Sequence, residues 1–282
     1  MSESKISNTK GNQLFARYWN EDGQEIKDVK ALIFIVHGYC EHCLAYNELA
    51  ESLVNQGYYV FSHDHIGHGQ SDGDRAHVCS FDEYVDDLFC HLDLITQKFP
   101  DKKVFLVGHS MGGAISVLAG LKRPSFFAGI VLIGPLLIAD RKTATPFKIA
   151  VGKMAAKVLP HMHIAQVDPG KISRDKESVK NYTEDPLVYH GGVKCRWGVA
   201  MVEALQKIES SMPAIEWPFF VLHGSNDALC EVAGAKEIYE KAKSKDKQIK
   251  IFEEAFHQLH KEVEPVKTET FDLISDWLNN RA

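Results

Sequence analysis

Short apolar runs rich in β-branched residues recur along the 282-residue chain, and amphipathic stretches separate most of them. Runs of this length with helical patterns between them are typical of buried strands. Because such strands are buried on both sides, the pattern predicts an α/β fold with a mostly parallel central sheet and helices on both faces. The predicted strands are residues 31–36, 58–62, 103–107, 129–133, 219–222 and 249–252, with a weaker candidate at 13–19.

The stretches between the strands carry apolar residues at helical spacing. In residues 81–99, Tyr84, Leu88 and Leu92 recur every four positions, and Pro100 follows as a stop signal. The other helices are predicted at residues 44–55, 111–122, 232–243 and 263–279.

The alternation of strands and helices stops between residues 136 and 217. This interval contains no strong strand pattern and is far too long for a plain connection. One stretch in it, residues 147–159, has the apolar spacing of an amphipathic helix. We therefore predict a core formed by residues 1–135 and 218–282, with a helical cap at 136–217 inserted into it.

A nucleophile motif follows the third clear strand. Gly108-His109-Ser110-Met111-Gly112 is a G-x-S-x-G that stands directly after that strand and directly before a helix of small residues. In such a sharp strand-to-helix turn the serine oxygen is lifted clear of the sheet, and Gly108 and Gly112 avoid crowding the turn. The N–H groups at the start of the following helix point at a developing oxyanion. The motif predicts Ser110 as a catalytic nucleophile.

A serine hydroxyl needs a base to take its proton, and a nucleophile of this kind is followed in the chain by an acid and then a histidine. Asp227 comes just after the fifth clear strand and His257 shortly after the sixth. Parallel sheets place reactive groups at these strand ends, so Asp227 and His257 are the predicted acid and base. The alternatives are His260 as the base, His223 as a base that would break the chain order, and Glu253 or Glu254 as the acid.

Hydrolysis through a serine also needs two backbone N–H groups that bind the oxyanion. One is expected from Met111, which follows the nucleophile. The other is expected from the loop after the first clear strand, which begins His37-Gly38-Tyr39-Cys40. By its position in this loop, Tyr39 is the predicted second donor.

Composition and charge narrow the classes of protein. The chain is 45% hydrophobic and 25% charged, which is typical of a globular protein, and its net charge of −6 with no basic stripe argues against nucleic acid as a partner. Residues 1–10 are polar and lack the apolar stretch of a secretion signal, so we expect a cytoplasmic protein, at most peripherally bound to a membrane. The six cysteines are then expected to be free thiols.

Several other motifs are set aside. The run from His63 to His68 crowds three imidazoles and one carboxylate, but Gly67 stands where binuclear metallohydrolases carry an aspartate. Cys40 and Cys43 form a C-x-x-C without a second pair at zinc-site spacing. The chain has no dinucleotide-binding glycine pattern and no Walker lysine, so we expect neither a metal nor another cofactor.

With these residues described, the chain resembles the monoacylglycerol lipases of the α/β-hydrolase superfamily from about residue 14 to about residue 278. The resemblance is carried by Arg17-Tyr18-Trp19, His37-Gly38, Glu41-His42, residues 63–71, residues 108–114, Asp185-Pro186-Leu187, Gly224-Ser225 with Asp227, and His257 with residues 259–262. It implies an α/β-hydrolase fold with an amphipathic cap that meets membranes. It also implies a serine hydrolase that cleaves monoacylglycerols to glycerol and fatty acid.

The resemblance also implies roles for individual residues: Ser110, Asp227 and His257 as the catalytic triad, Tyr39 and Met111 as oxyanion donors, and Glu41, Tyr182 and His260 near the glycerol end of the substrate. Two departures affect that end. Tyr39-Cys40 stands where the cellular family has Ala-Gly, and Ala45 stands where the family has the arginine partner of the loop glutamate. The alternatives are therefore a lysophospholipase or another carboxylesterase of the same fold, and a lipid-binding protein with weak turnover. A homodimer is left open.

Overall fold

Residues 1–20, 29–140 and 145–282 are described by a computed structural model. Within them, eight strands form one sheet in the spatial order β1-β2-β4-β3-β5-β6-β9-β10. β1 and β2 are antiparallel to their neighbours, and the other six strands are parallel. The strands are β1 (Ser2–Ser7), β2 (Gln13–Tyr18), β3 (Leu32–Val36), β4 (Tyr59–His63), β5 (Val104–His109), β6 (Gly129–Ile133), β9 (Phe219–Gly224) and β10 (Lys247–Phe252). The predicted mostly parallel sheet is confirmed.

Helices cover both faces of this sheet. Along β3, Phe34 and Val36 pack into a core shared with α2, α3, α6 and α7, whereas Ile33 and Ile35 pack toward α1 and α8. Successive side chains of a strand point to opposite faces, so one continuous apolar strand supplies two cores. These helices are α1 (Asn47–Val54), α2 (Asp82–Lys98), α3 (Met111–Lys122), α6 (Cys195–Ser211), α7 (Val232–Lys241) and α8 (Val266–Asn279).

The segment between β6 and β9 contains the remaining elements: α4 (Pro146–Val158), β7 (His163–Ala165), α5 (Lys176–Glu184), β8 (Val193–Lys194) and α6. β7 and β8 form a small antiparallel pair that the apolar pattern did not predict. Short 3₁₀ turns complete the described chain at Cys43–Tyr46, Pro169–Lys171, Met212–Ala214 and Leu259–Lys261.

The division into a core and a cap stays a prediction. α6 lies inside the predicted cap range, yet its Trp197, Leu205 and Ile208 are buried in the same core as α2 and α3. The predicted ranges 1–135 and 136–217 also include residues 21–28 and 141–144, which lie outside the described residues. None of the described helices is long and apolar enough to cross a bilayer.

One strand of the sheet was missed by the pattern. β1 has five polar residues among its six, and only Ile6 is buried. It pairs through its whole length with β2 and forms an edge of the sheet. An edge strand with one face in solvent needs little apolar character, so backbone hydrogen bonding forms it where hydrophobicity gives no signal.

Candidate active site

The turn between β5 and α3 holds Ser110 in an uncommon backbone conformation. Its φ is +55° and its ψ is −119°, and its N–H donates to the Ile133 carbonyl at 3.1 Å. A Cβ at Gly112 would collide with the Val36 carbonyl, and a Cβ at Gly108 would lie 2.6 Å from the Gly112 carbonyl oxygen. Such a conformation persists only where the surroundings enforce it; here Gly112 allows the close approach of β3, and Gly108 allows the close approach of the start of α3.

Asp227 and His257 meet at the same edge of the sheet. Asp227 follows β9, His257 follows β10, and His257 Nδ1 lies 2.7 Å from Asp227 Oδ2. Asp227 Oδ1 accepts hydrogen bonds from the N–H groups of Leu229 and Cys230 at 2.8 and 2.9 Å. Burial alone would raise the pKa of Asp227, but the charge and hydrogen bond of His257, together with His223, hold this pKa well below its usual value. The carboxylate is therefore ionised at neutral pH.

Gly134, after β6, gives this pair the space that it occupies. A Cβ there would lie 2.7 Å from the His257 carbonyl oxygen and 3.3 Å from His257 Nδ1. Gly134 also has a φ of +48°. The segment around it reaches the nucleophile as well, because Leu136 N–H donates to the Ser110 carbonyl at 3.0 Å. One loop therefore contacts the backbones of both Ser110 and His257.

Ser110 and His257 line the same cavity, which has a volume of about 240 Å³. The ring of His257 lies 4.7 Å from that of His109, the neighbour of Ser110. In this rotamer, among the described residues, Ser110 Oγ has one hydrogen-bond partner, Cys230 Sγ at 3.9 Å. Rotation about the Ser110 Cα–Cβ bond is needed to direct the hydroxyl at His257, and hydrogen bonds of this kind often form only once substrate is bound.

His223, which the sequence pattern suggests only as an alternative base, is a neighbour of Asp227. Its Nε2 lies 3.1 Å from Asp227 Oδ2, and its ring is fully buried at the end of β9. His223 therefore contacts the same oxygen of Asp227 as His257 does, and it helps to hold this carboxylate in place. The other rivals lie elsewhere: Glu253 and Glu254 are exposed, and His260 is buried against Tyr46, with ring centroids 4.9 Å apart.

The two predicted oxyanion donors belong to adjacent parallel strands. Tyr39 follows β3 and Met111 opens α3, directly after β5. Within the described part of the chain, neither backbone N–H donates to a protein acceptor. The Tyr39 ring stacks on Trp197 of α6 at 3.9 Å, and its hydroxyl donates to the Ala76 carbonyl at 3.3 Å. Both N–H groups are thus free to bind a ligand oxygen.

Glu41 lies in the loop after β3, two residues beyond Tyr39, and is almost fully buried. Its Oε2 accepts hydrogen bonds from Tyr46 Oη at 2.7 Å and from the Gly38 N–H at 3.2 Å, and its Oε1 accepts one from Gln258 Nε2. Burial would raise the pKa of Glu41, but the adjacent imidazole of His109 holds this pKa well below its usual range. Glu41 therefore joins the loop after β3 to the turn that contains Ser110, through His109, and to the loop that contains His257, through Gln258.

This role of Glu41 gives a testable expectation. In Glu41→Gln one carboxylate oxygen is replaced by an amide NH₂ group, which cannot accept a hydrogen bond from the donors around it. At least one charge-assisted hydrogen bond is therefore lost, which should lower the free energy of unfolding by about 1.5–3 kcal/mol. We expect the urea midpoint and kcat both to fall. Glu240 is exposed, so Glu240→Gln serves as the matched control. Equal urea midpoints for the two variants would contradict the anchoring role.

A second, more polar cavity of about 420 Å³ adjoins the first. Glu41 and Tyr182 border both cavities, whereas His260 and Ala45 border only the second. Both ring nitrogens of His260 are buried and lack a hydrogen-bond partner among the described residues. The three residues expected near a glycerol end are therefore brought together beside the nucleophile cavity.

The motifs that were set aside have local structural contacts. Asp64 accepts hydrogen bonds from the N–H groups of Cys43 and Gln70, both at 2.7 Å, and His63 Nδ1 lies 3.3 Å from His91 Nδ1. All six cysteines are unpaired. Burial raises the pKa of Cys40 and Cys43, so both stay protonated thiols at neutral pH.

A serine at a strand-turn-helix junction, an Asp–His pair after two later parallel strands and free N–H groups define a serine hydrolase of the α/β-hydrolase fold. The family model described as "Serine aminopeptidase, S33" matches residues 27–264. The chain belongs to the monoglyceride lipase family within this superfamily, and it is an enzyme that hydrolyses esters.

Three relatives illustrate the similarity. A monoglyceride lipase of Homo sapiens is 43% identical over 277 residues, which cover 98% of this chain and 90% of the relative. A monoglyceride lipase homolog of Monkeypox virus is 36% identical over the full length of both chains. The crystal structure of a monoacylglycerol lipase of Paleococcus ferrophilus superposes with a TM-score of 0.82 at 28% identity, covering 95% of this chain and 99% of that one.

Proposed function

We propose that this protein cleaves monoacylglycerols to fatty acid and glycerol through an acyl-enzyme on Ser110. The observation that carries the proposal is the Asp227–His257 contact of 2.7 Å, which lies behind a cavity that His257 and Ser110 both line. Family membership supplies the substrate class, because relatives over the whole length are monoglyceride lipases.

In the proposed mechanism, His257 takes the Ser110 proton while the hydroxyl oxygen attacks the ester carbonyl. Asp227 holds the imidazole in the useful tautomer and stabilises its cation. The Tyr39 and Met111 N–H groups bind the oxyanion. Glycerol leaves with the proton from His257, and a water molecule, activated by the same imidazole, then releases the fatty acid.

The two cavities suit the two ends of such a substrate. The one that exposes Ser110 has a mostly apolar wall for an acyl chain, formed by Leu136, Val167, Ile172, Val193, Trp197, Met201 and Leu229. Glu41, Tyr182 and His260 line the adjoining polar cavity and are proposed to face the glycerol. Because Ala45 stands where the family has an arginine, Glu41 has no arginine partner at that position. The contacts of Glu41 with Tyr46 and Gln258 take the place of the ion pair with that arginine.

The substrate assay uses the purified chain with 1- and 2-monoacylglycerols, a lysophospholipid of the same acyl chain and a short-chain ester. We expect the highest kcat/KM on a monoacylglycerol. The second candidate, a lysophospholipase or other carboxylesterase, is favoured by Tyr39 and Ala45 at positions where the family differs. A higher kcat/KM on the lysophospholipid or the short ester would replace the first proposal by the second.

The proposal includes binding to a membrane surface through the predicted cap. Phe147, Met154 and Val158 of α4 are 78%, 72% and 79% exposed, and Leu159 and Ile164 beside them are more than half exposed. Contiguous apolar patches of this kind on a helix favour insertion into the interfacial region of a bilayer. Six free thiols support the accompanying proposal of a cytoplasmic location.

Removing this apolar face should release the protein from membranes. Each large apolar side chain that leaves water contributes about 1.5–3 kcal/mol, so we expect Phe147→Ser/Val158→Ser to weaken vesicle binding at least tenfold in a sedimentation assay. Leu94→Ser, which removes an exposed leucine of α2, is the control and should bind as wild type does. Equal binding of the double variant would contradict the proposal. If the wild type instead forms a concentration-dependent dimer and the double variant is monomeric, the apolar face of α4 is a homodimer interface.

A further inference from the structure

Three side chains outside the active site converge on one point between the predicted core and cap. Asp74 and His77 lie in the loop between β4 and α2, and His161 lies between α4 and β7. Their potential ligand atoms all lie within 4.8 Å of one another. His161 Nδ1 is 3.1 Å from Asp74 Oδ2, and the two imidazole rings have centroids 4.8 Å apart.

The protonation states of this cluster suit a cation. Burial would raise the pKa of Asp74, but Lys194 and the two imidazoles hold this pKa below its usual value, so the carboxylate is ionised. Burial lowers the pKa of His77, so its ring is neutral at pH 7. His77 Nδ1 is buried without a hydrogen-bond partner among the described residues. A carboxylate and a neutral imidazole nitrogen are thus available as ligands.

We propose that Asp74, His77 and His161 bind a divalent transition-metal ion of the zinc class, with water in the remaining coordination position. Two imidazole nitrogens and one carboxylate oxygen are a ligand set that Zn²⁺ uses, whereas Ca²⁺ and Mg²⁺ favour oxygen ligands. Zinc–ligand bonds of about 2.0–2.1 Å place tetrahedral ligand atoms roughly 3.3 Å apart. The 3.1 Å contact already matches this spacing, and small side-chain rotations complete the set.

Lys194 limits the affinity of the site for a cation. Its Nζ lies 2.8 Å from Asp74 Oδ1 and remains there when the ion takes Oδ2. Because this ammonium group repels a cation and shares the carboxylate, it weakens metal binding. Removing the charge in Lys194→Met therefore strengthens binding, which distinguishes a metal site from a cluster held together by Lys194.

A bound ion would join two separate parts of the chain. Asp74 and His77 flank Ala76, whose carbonyl accepts the Tyr39 hydroxyl at 3.3 Å, while His161 follows the exposed helix α4. The metal therefore fixes the segment after α4 to the loop that contacts the predicted oxyanion donor. This inference uses no residue of the proposed triad and stands independently of the proposed substrate.

The test is isothermal titration of ZnCl₂ into the purified, untagged full chain after treatment with a chelator. We expect one equivalent to bind at the cluster, at least tenfold weaker binding in His77→Ala and His161→Ala, and tighter binding in Lys194→Met. His163→Ala is the matched control, because His163 is an exposed histidine two residues beyond His161 and outside the cluster. Circular dichroism without metal confirms that each variant is folded.

A second set of ligand atoms must be separated from the first. Asp227, Cys230 and His257 also lie within 4.8 Å of one another, so the titration is repeated in Cys230→Ala. Binding that survives Cys230→Ala and is lost in His161→Ala supports the inference. Binding lost only in Cys230→Ala, unchanged in both histidine variants, or absent from the wild type overturns it. Hydrogen exchange of residues 145–165 should slow on metal addition in the wild type and not in His161→Ala.

Discussion

Ser110→Ala is expected to lower the rate of ester hydrolysis by at least about 10⁴-fold while leaving the fold intact. The variant removes the attacking oxygen, and the residual rate comes from the oxyanion donors and binding alone. The side chain is a small part of a turn that backbone contacts hold, since the Ser110 N–H donates to Ile133 at the end of β6 and its carbonyl accepts from Leu136 just after that strand. The effect on activity should therefore far exceed the effect on stability.

The measurement combines turnover with covalent labelling. A fluorophosphonate probe should label the wild type and fail to label Ser110→Ala. Ser210 is exposed on α6, so Ser210→Ala is the matched control and should retain both turnover and labelling. Unchanged turnover in Ser110→Ala would contradict the catalytic mechanism. If the wild type binds monoacylglycerol but shows neither turnover nor labelling, the protein is a lipid-binding member of the fold.

Acidification should destabilise the folded chain steeply below about pH 6.5. Seven fully or almost fully buried histidines have a pKa lowered chiefly by burial, among them His68 with a pKa of about 4 and His91 with a pKa of about 3. The others are His37, His63, His65, His109 and His260. Several of them contact one another, so protonation would also place like charges together.

The sign follows from proton binding. Below the unfolded-chain pKa of about 6.5 the unfolded state takes up protons that the folded state excludes, so the free energy of unfolding falls as the pH falls. Well below that pKa each neutral buried histidine removes about 1.4 kcal/mol per pH unit, and two of them remove about 3 kcal/mol between pH 6.5 and 5. That loss is comparable to the roughly 5–15 kcal/mol of a whole domain. Burial raises the pKa of Asp87 to about 6 and also raises that of Asp64, so these two carboxyl groups oppose the trend.

Urea unfolding at pH 7 and pH 5 measures this loss. His91→Gln keeps a hydrogen-bonding side chain beside Tyr18 and cannot take up a proton, so its stability should fall less between the two pH values than that of the wild type. The exposed His190 provides the control, and His190→Gln should follow the wild type. Equal stability of the wild type at pH 7 and pH 5 would contradict the prediction.

The sequence predicted the sheet and the site where each rests on a local pattern. β3, β5 and β6 are continuous apolar runs, and Ser110 stands in a motif whose glycines have an evident steric role. The order of acid and base after the nucleophile then limited the candidates to strand ends. Asp227 and His257 are in contact for this reason, although their roles in catalysis stay predictions.

What the sequence could not give depends on contacts between distant segments. Glu41 contacts Tyr46, His109 and Gln258, which lie on three different segments, and no spacing along the chain predicts these contacts. The same holds for His223: the sequence suggests it only as an alternative base, because its position beside Asp227 depends on how the loop after β9 turns back. The rotamer that turns Ser110 toward Cys230 is likewise a packing outcome.

The stack between Tyr39 and Trp197 limits how the substrate range can be redesigned. Trimming Tyr39 to alanine would enlarge the nucleophile cavity, yet it would also remove the ring contact and the hydroxyl that hold this loop to α6 and to Ala76. The predicted oxyanion donor, the backbone N–H at the same position, would then lose its fixed geometry. We therefore expect selectivity and rate to be coupled at this residue, and a directed-evolution campaign seeking bulkier esters should begin at Met201 or Val193, which also line the cavity.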